Sequence, residues 1–341
     1  MKTATFYCGI DLHARNSFIC VIDQEGGKVA EKRLRNQMED ILNFLTPYRD
    51  NLKAVVESTF NWYWLVDGLE EHGITVSLAH TLYLKAIAYA KVKTDKVDAH
   101  TLAQLLRLNM VPEAYIYPKR IRPARDLLRR RMYLVNLRSA QLRSLGLLML
   151  RNNIHGYDRN SLKKLSISQL QEVFPHLDQF LSASSSIRIM KSLDTEIKEI
   201  EKQILSRLRT TEPMRLIKTV PGVGDILAMS ILYEVGDIGR FPNAQSFCSY
   251  CRLVPGTSQS DRTVRQGRNK KQGNKYLKWA FSEAAYYSIR HYPKIMSFYH
   301  RKIHQKGVKG IAKAIIAHKL GIATYHVLKG GEKFEMSMLF H

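Results

Sequence analysis

Short apolar runs rich in aromatic and β-branched residues open the chain, and residues 5–10 (TFYCGI) and 17–23 (SFICVID) read as strands around a tight polar connection. Glu25, Gly26 and Gly27 supply a hairpin turn into a third strand near 28–35. An amphipathic helix around 38–48 leads to a β-branched strand, KAVVES at 53–58, then to a helix near 62–72 and a strand, TVSLAH at 75–80. A three-strand meander followed by helices alternating with strands predicts a mixed α/β layer fold.

From about 123 the pattern turns helical. Leu128, Val135, Leu142 and Met149 recur at seven with Leu127, Leu134 and Leu148 beside them, which predicts one long helix with an apolar seam and arginines on its other faces. Met190, Leu193, Ile197, Ile200 and Ile204 alternate spacings of three and four and predict a second, coiled-coil-like helix. The two are free to pair antiparallel within one chain or to meet across subunits. Between them, 152–188 reads as a polar stretch whose SASSS run at 182–186 precedes the second helix. The last third is mostly helical. It contains a helix, tight turn, helix arrangement at 216–232 (LIKTVPGVGDILAMSIL), a basic loop at 252–278 and a helical tail at 308–328, and no repeat of 20–50 residues is visible. Three regions result: 1–122, 123–212 and 213–341.

Charge sharpens this picture. The 341 residues carry 53 Lys and Arg against 30 Asp and Glu, a formal charge of +23, while 45% hydrophobic content is enough for folded cores. The excess therefore belongs to folded surfaces, and phosphate polymers are its usual partner. No run approaches 18 uninterrupted apolar residues, and MKTATFYCGIDLHARNSF meets a polar turn too early for a signal peptide, so a cytoplasmic protein with no membrane segment is expected. Four cysteines are too few for a disulfide framework. Cys248 and Cys251 read as two small apolar residues on one helix, not as half of a zinc site.

Two sets of residues carry candidate chemistry. Asp11 follows the first strand, Glu57 ends the AVVE strand, and Asp95 and Asp98 stand three apart in KTDKVDAH, on one face if that stretch is helical. Carboxylates at sheet ends suit a pair of Mg²⁺ ions about 4 Å apart, against the plain reading of solvated surface acids. The second set lies in the basic loop, where Arg252, Arg262, Arg265, Arg268, Lys270, Lys271 and Lys275 precede Tyr276, Trp279, Tyr286 and Tyr287, a combination suited to nucleic acid. Arg129, Arg130 and Arg138 of the long helix join them as candidate nucleic-acid contacts. Ser258 and Ser260 are hydroxyls among guanidinium groups, with no His–Asp pair in view to serve as base. The ProGlyValGly turn at 221–224 either offers backbone amides to a DNA phosphate or only lets two helices pack.

Taken in order, GIDLHARNSF, VVES, KTDKVDAHTLAQLL, the arginine-rich helix, TVPGVGDILA, GRFPNAQSFCSYCRLVP and QSDRTVRQGRNKKQGNKYLK resemble the DEDD-type insertion-sequence transposases, a family that includes the Piv DNA invertase and bridge-RNA-guided recombinases. The resemblance covers nearly the whole chain and is weakest at 152–188. It implies an α/β RNase H-like (RuvC-like) N-terminal domain whose DEDD acids are Asp11, Glu57, Asp95 and Asp98, binding Mg²⁺. It also implies a helical coiled-coil middle region for linkage and oligomerisation, and a mainly α C-terminal transposase domain with a nucleophilic serine. That serine precedes an Arg-x-Gly and a Lys-x-Gly. Arg265 with Gly267 and Lys271 with Gly273 set the register on Ser260. Asp261 replaces a common Gly there, leaving Ser258 as the alternative, and Arg252 takes the place of a small residue before the Leu-x-Pro.

The implied activity is cutting and rejoining of double-stranded donor and target DNA through a covalent phosphoserine. The implied partners are a structured noncoding bridge RNA and further copies of the chain, a dimer that becomes a tetramer on synapsis. A guide RNA would leave the protein to read backbone and shape. Two other readings use the same residues: a metal-dependent nuclease or junction resolvase, and a non-catalytic nucleic-acid-binding protein.

Overall fold

The computed structural model describes residues 6–87, 94–206, 211–260, 263–267 and 272–340, and the chain divides into two compact units, Met1–Lys119 and Arg120–His341. In the first unit β1 (Phe6–Leu12), β2 (Asn16–Ile22) and β3 (Lys28–Arg35) form the expected meander. There follow α1 (Met38–Leu45), β4 (Leu52–Glu57), α2 (Trp62–Glu71), β5 (Thr75–Ala79), α3 (Thr81–Ile87) and α4 (Asp95–Arg107). The five strands lie in the order β3-β2-β1-β4-β5. β1 pairs antiparallel with β2 and parallel with β4, and β4 pairs parallel with β5.

Because side chains alternate across a strand, the central β1 divides its residues between two layers. Cys8, Ile10 and Leu12 pack with Ile41 and Leu45 of α1 and Leu65, Val66 and Leu69 of α2. The opposite face, which carries Gly9 and Asp11, receives α4. Cys20 and Ile22 pack with Ala99 and Ala103 there, and Val55 and Ala79 with Leu102 and Leu105. At Gly9 the contact is between backbones: a Cβ would fall 2.0 Å from the Ala99 carbonyl oxygen and 2.6 Å from the Ala103 amide nitrogen.

In the second unit α5 (Arg122–Arg151), α6 (Arg159–Lys164), α7 (Ile167–Val173) and α8 (Leu177–Ser206) come first. α5 and α8 pair within the chain. Arg131 meets Glu201 and Arg138 meets Asp194, so position advances along one helix as it retreats along the other and the pair is antiparallel. Leu142, Leu145 and Met149 pack with Ala183, Ile187 and Met190, and Leu162 of α6, Leu170 of α7 and Phe174 just after α7 complete that core. The stretch 152–188 is thus not a polar connection. Its serine run lies inside α8, where Ser184 and Ser186 are buried and the Ser184 hydroxyl donates to the Leu181 carbonyl 3.1 Å away. A small side chain that satisfies itself on its own helix can be buried despite its polarity.

The remainder comprises α9 (Glu212–Ile217), α10 (Asp225–Val235), α11 (Ala244–Tyr250), β6 (Gly256–Ser260), β7 (Thr263–Gly267), α12 (Lys275–His291), α13 (Pro293–Lys306) and α14 (Lys309–Gly330). Phe247, Leu277, Phe281 and Leu320 are wholly buried in its core. Among the described residues of the expected basic loop at 252–278, β6 and β7 pair antiparallel, with Ser258 opposite Arg265 and Ser260 opposite Thr263, and α12 begins at Lys275. Cys248 and Cys251 are buried at the end of α11, and burial pushes the Cys248 thiol up to about 12, which suits packing and not thiolate chemistry. No described helix is long and apolar enough to cross a membrane.

Gly9→Ala should push α4 away from the sheet and lower the free energy of unfolding by about 1–3 kcal/mol. Gly310→Ala is the control, since a Cβ there meets nothing within 4 Å. Urea unfolding combined with limited proteolysis of the N-terminal unit would read the difference; equal stability of the two variants would contradict the close contact.

Candidate metal centre and serine hairpin

The structure brings acids together at the α4 side of the sheet. Asp11 does not follow β1 but lies within it, opposite Phe18 of β2, and is only 4% exposed. Facing it, α4 begins at Asp95, with the Thr94 hydroxyl accepting from the Val97 amide as an N-cap. Asp95 and Asp98 both fall in the first turn, on one face as their spacing predicts. Glu57 is the last residue of β4 and is half-buried.

His13, two residues beyond Asp11, joins the group. Its Nε2 lies 3.2 Å from Asp11 Oδ2 and 3.2 Å from Asp95 Oδ1, and ligand atoms of the three residues lie within 4.8 Å of one another. Side-chain amides of Asn36 and Asn61 donate to the His13 carbonyl at 2.8 and 2.9 Å, which fixes its backbone. Arg33 Nη2 stands 4.0 Å from Asp95 Oδ2. The sequence singled out the acids and passed over this histidine, although its place two residues along from Asp11 was the available signal.

Burial pushes the Asp11 carboxyl up to about 6; the charge of His13 opposes that rise, while Glu57, Asp98 and Asp95 add to it. Glu57, Asp98 and Asp95 each act on Asp11 electrostatically, while the ligand atoms found within 4.8 Å of one another are those of Asp11, His13 and Asp95. A buried carboxyl surrounded by like charge regains its ionised form when a cation replaces its proton, so the donor set is matched to a hard divalent ion.

The second candidate region is held at its base. Arg252, in left-handed conformation at φ 56°, donates from Nε to the Gly273 carbonyl at 2.7 Å, and the Asn274 amide donates to the Tyr250 carbonyl at 2.6 Å. A Cβ at Gly273 would fall 2.5 Å from that same Tyr250 oxygen. The two ends of the 252–273 segment are therefore pinched together. Ser260 ends β6 and Ser258 lies within it; the side chains of Ser258, Ser260 and Arg265, and all of Arg262, Arg268, Lys270 and Lys271, lie outside the described residues.

Asn274 also links the hairpin to a buried ionic centre. Its Oδ1 accepts from the Tyr276 and Leu277 amides, capping α12, while its Nδ2 donates to Glu234 Oε2 at 2.7 Å. Glu234, 3% exposed on α10, also receives Arg125 at 3.1 Å and Arg129 at 2.5 and 2.9 Å. Burial would raise the Glu234 carboxyl, but the Arg129 hydrogen bond, the two guanidinium charges and Asn274 hold it below the ordinary carboxylate range. Arg129 is thus committed to Glu234 and to the Tyr276 ring, 4.2 Å from its centroid, and Arg138 to Asp194. Arg130 stacks over Tyr133 at 5.3 Å and Lys275 over Tyr276 at 5.1 Å. At the ProGlyValGly turn, Gly222 has φ 78° and a Cβ there would fall 2.1 Å from the Ala284 carbonyl oxygen, so this glycine lets α12 pack against the turn.

Glu234→Ala would remove the carboxylate shared by buried Arg125 and part-buried Arg129 and should cost about 3–5 kcal/mol. Thermal unfolding of the purified variant reads this directly, and a transition at the wild-type temperature would rule out the ionic centre as a structural tie.

Comparison with known proteins adds an independent line. A DEDD transposase profile of the IS110 type matches residues 8–151, and the profile described as Transposase IS116/IS110/IS902 family matches residues 214–300. Among individual relatives, the transposase-like protein y4qE of Sinorhizobium fredii is 26% identical over 205 residues, covering 60% of this chain and 50% of the relative. The family 20 transposase of Pseudomonas aeruginosa is 24% identical over 287 residues, with 79% and 80% covered, and the pilin gene-inverting protein of Moraxella bovis 26% identical over 297 residues, with 83% and 82% covered. For y4qE the match spans half the relative's length. With the acid cluster inside the first matched segment and the serine hairpin inside the second, in that order along one chain, the protein belongs to the IS116/IS110/IS902 transposase family.

Proposed function

We propose that the protein is a DNA recombinase of an insertion sequence that cuts and rejoins double-stranded DNA through Ser260, with Asp11, Glu57, Asp95 and Asp98 as a Mg²⁺ site and a noncoding bridge RNA as guide. The gathering of carboxylates around Asp11, within the segment matched by the DEDD profile, carries this reading. The strand order, antiparallel from β3 to β1 and parallel from β1 to β5, supports an RNase H-like (RuvC-like) class for the first unit. Exposed Leu147, Leu150, Leu177 and Leu181 at one end of the α5 and α8 pair support homo-oligomerisation through a coiled-coil middle region.

Chemically, Ser260 Oγ forms a bond to phosphorus as a DNA ester oxygen leaves, the serine proton departing and the leaving oxygen taking one up. Attack by a hydroxyl from another strand reverses the balance, frees Ser260 and rejoins the DNA. Cations of the 252–275 segment, Arg252 and Lys275 among them, offset the phosphate charge. A divalent ion at the acids, when bound, supplies Lewis-acid charge and lowers the pKa of an oxygen it contacts. His13 and Arg33 hold Asp11 and Asp95 in place.

Ser260→Ala should abolish both a protease-sensitive covalent protein–DNA adduct and strand exchange with cognate DNA and copurified RNA, while DNA binding persists. Ser258→Ala should retain the adduct. Asp11→Asn should lower exchange by at least 100-fold without loss of binding. Full exchange by Ser260→Ala would exclude the serine role, and cleavage without any adduct would favour a purely metal-dependent nuclease.

A further inference from the structure

One surface of the second unit has no part in the hairpin base or the Glu234 centre. α12 begins at Lys275, and the helical period lines Lys275, Lys278, Ser282, Tyr286 and Arg290 along one stripe. Lys275, Lys278, Tyr286 and Arg290 are exposed. Beyond them the cationic field continues, since the sequence from 284 to 331 contains nine Lys and Arg and no Asp or Glu.

Beside the stripe lies an open cleft of about 620 Å³, large enough for a nucleotide-sized group. Trp279, Tyr287 and Tyr292 line one part of it and Gly224 at the start of α10 another, with Arg131 and Lys218 also contributing. Tyr287 is 48% exposed and Tyr292 37%, so aromatic faces stand open to solvent. Two cations that line the cleft are paired, Arg131 with Glu201 and Lys218 with Asp225 at 2.6 Å, and Glu283 and His291 complete its polar lining. Such an interior suits a flat, uncharged ring with polar edges better than a phosphate. No side chain caps the first amides of α10, and a Cβ at Gly224 would meet nothing within 4 Å, so backbone donors line open space there.

We propose that this cleft receives one unpaired base of a DNA strand, stacked on Tyr287, while the strand's phosphates follow the Lys275–Arg290 stripe. The division of labour is the physical reason: cations of the stripe, which form no ion pair among the described residues, attract the backbone, and aromatic faces in a cleft whose Arg131 and Lys218 are paired attract a base. The stripe starts at Lys275, next to the pinched base of the serine segment, and that position selects DNA; the inference rests on the proposed action of the serine hairpin on DNA.

The test is fluorescence anisotropy of the full chain with a short single-stranded DNA, a matching series in which one abasic site is walked along the strand, the same strand as RNA, and a blunt duplex. Wild-type protein should bind about tenfold more weakly when the abasic site reaches the cleft position. Tyr287→Ala should weaken binding of the intact strand by about tenfold and abolish the abasic effect, Tyr287→Phe should restore both, and Lys278→Ala with Arg290→Ala should flatten the salt dependence for every strand. Tyr287→Ala binding the DNA strand like wild type, losing the duplex equally, or losing only the RNA would each overturn the proposal. Because this readout needs no chemistry, Ser260→Ala must show the same Tyr287 effect; if Ser260→Ala failed to block the adduct, the serine mechanism would fall with the cleft intact.

Discussion

The close approach of α4 to β1 over Gly9 is the contact on which the first unit's chemistry depends. A strand in the middle of a sheet presents a side chain every second residue to each face, and on the α4 face Gly9 presents none. The helix backbone can therefore lie directly on the strand, with Ala99 and Ala103 as its own small contact residues. One turn toward the start of α4 are Asp98 and Asp95; one pleat along β1 is Asp11. Any side chain at Gly9 separates the two elements that supply the acids. The same closeness buries Asp11 and produces its raised pKa.

The second unit relies on charge in a different way. Glu234 is taken out of water and compensated by two arginines and an asparagine, a pattern that is costly to break but contributes little net stability when intact. What it supplies is geometry: α5, α10 and the start of α12 meet at one carboxylate, and the residue that completes the set, Asn274, is the N-cap of α12. These internal pairs hold almost none of the +23 excess, since four arginines there face three acids. Arg125, Arg129, Arg131 and Arg138 are matched by Glu234, Glu201 and Asp194, which concentrates the uncompensated charge on other surfaces, the α12 stripe among them.

Much of this was legible in the sequence. The strands of the first unit, the two long helices and the common face of Asp95 and Asp98 all followed from period, because each has one buried side and one solvated side. Other features escaped for identifiable reasons. The serine run of α8 looks like a linker by composition, yet its hydroxyls bond within the helix. The β6 and β7 hairpin is too polar to read as strands. Glu234 acquires significance only from partners distant along the chain, Arg125, Arg129 and Asn274, and His13 in part from Asp95, which lies far from it in sequence. The roles of Gly9 and Gly222 lie in contacts that no local pattern encodes.

The most direct test of the account is Mn²⁺ binding to the purified chain, followed by the electron paramagnetic resonance signal of the free ion. Wild-type protein should bind the ion, Asp11→Asn and Asp95→Asn should each lose that binding, and Gly9→Ala should lose it as well, although every ligand is retained, because α4 no longer reaches β1. Undiminished binding by Gly9→Ala, or by Asp11→Asn, would contradict the claim that this strand and helix together make the metal site.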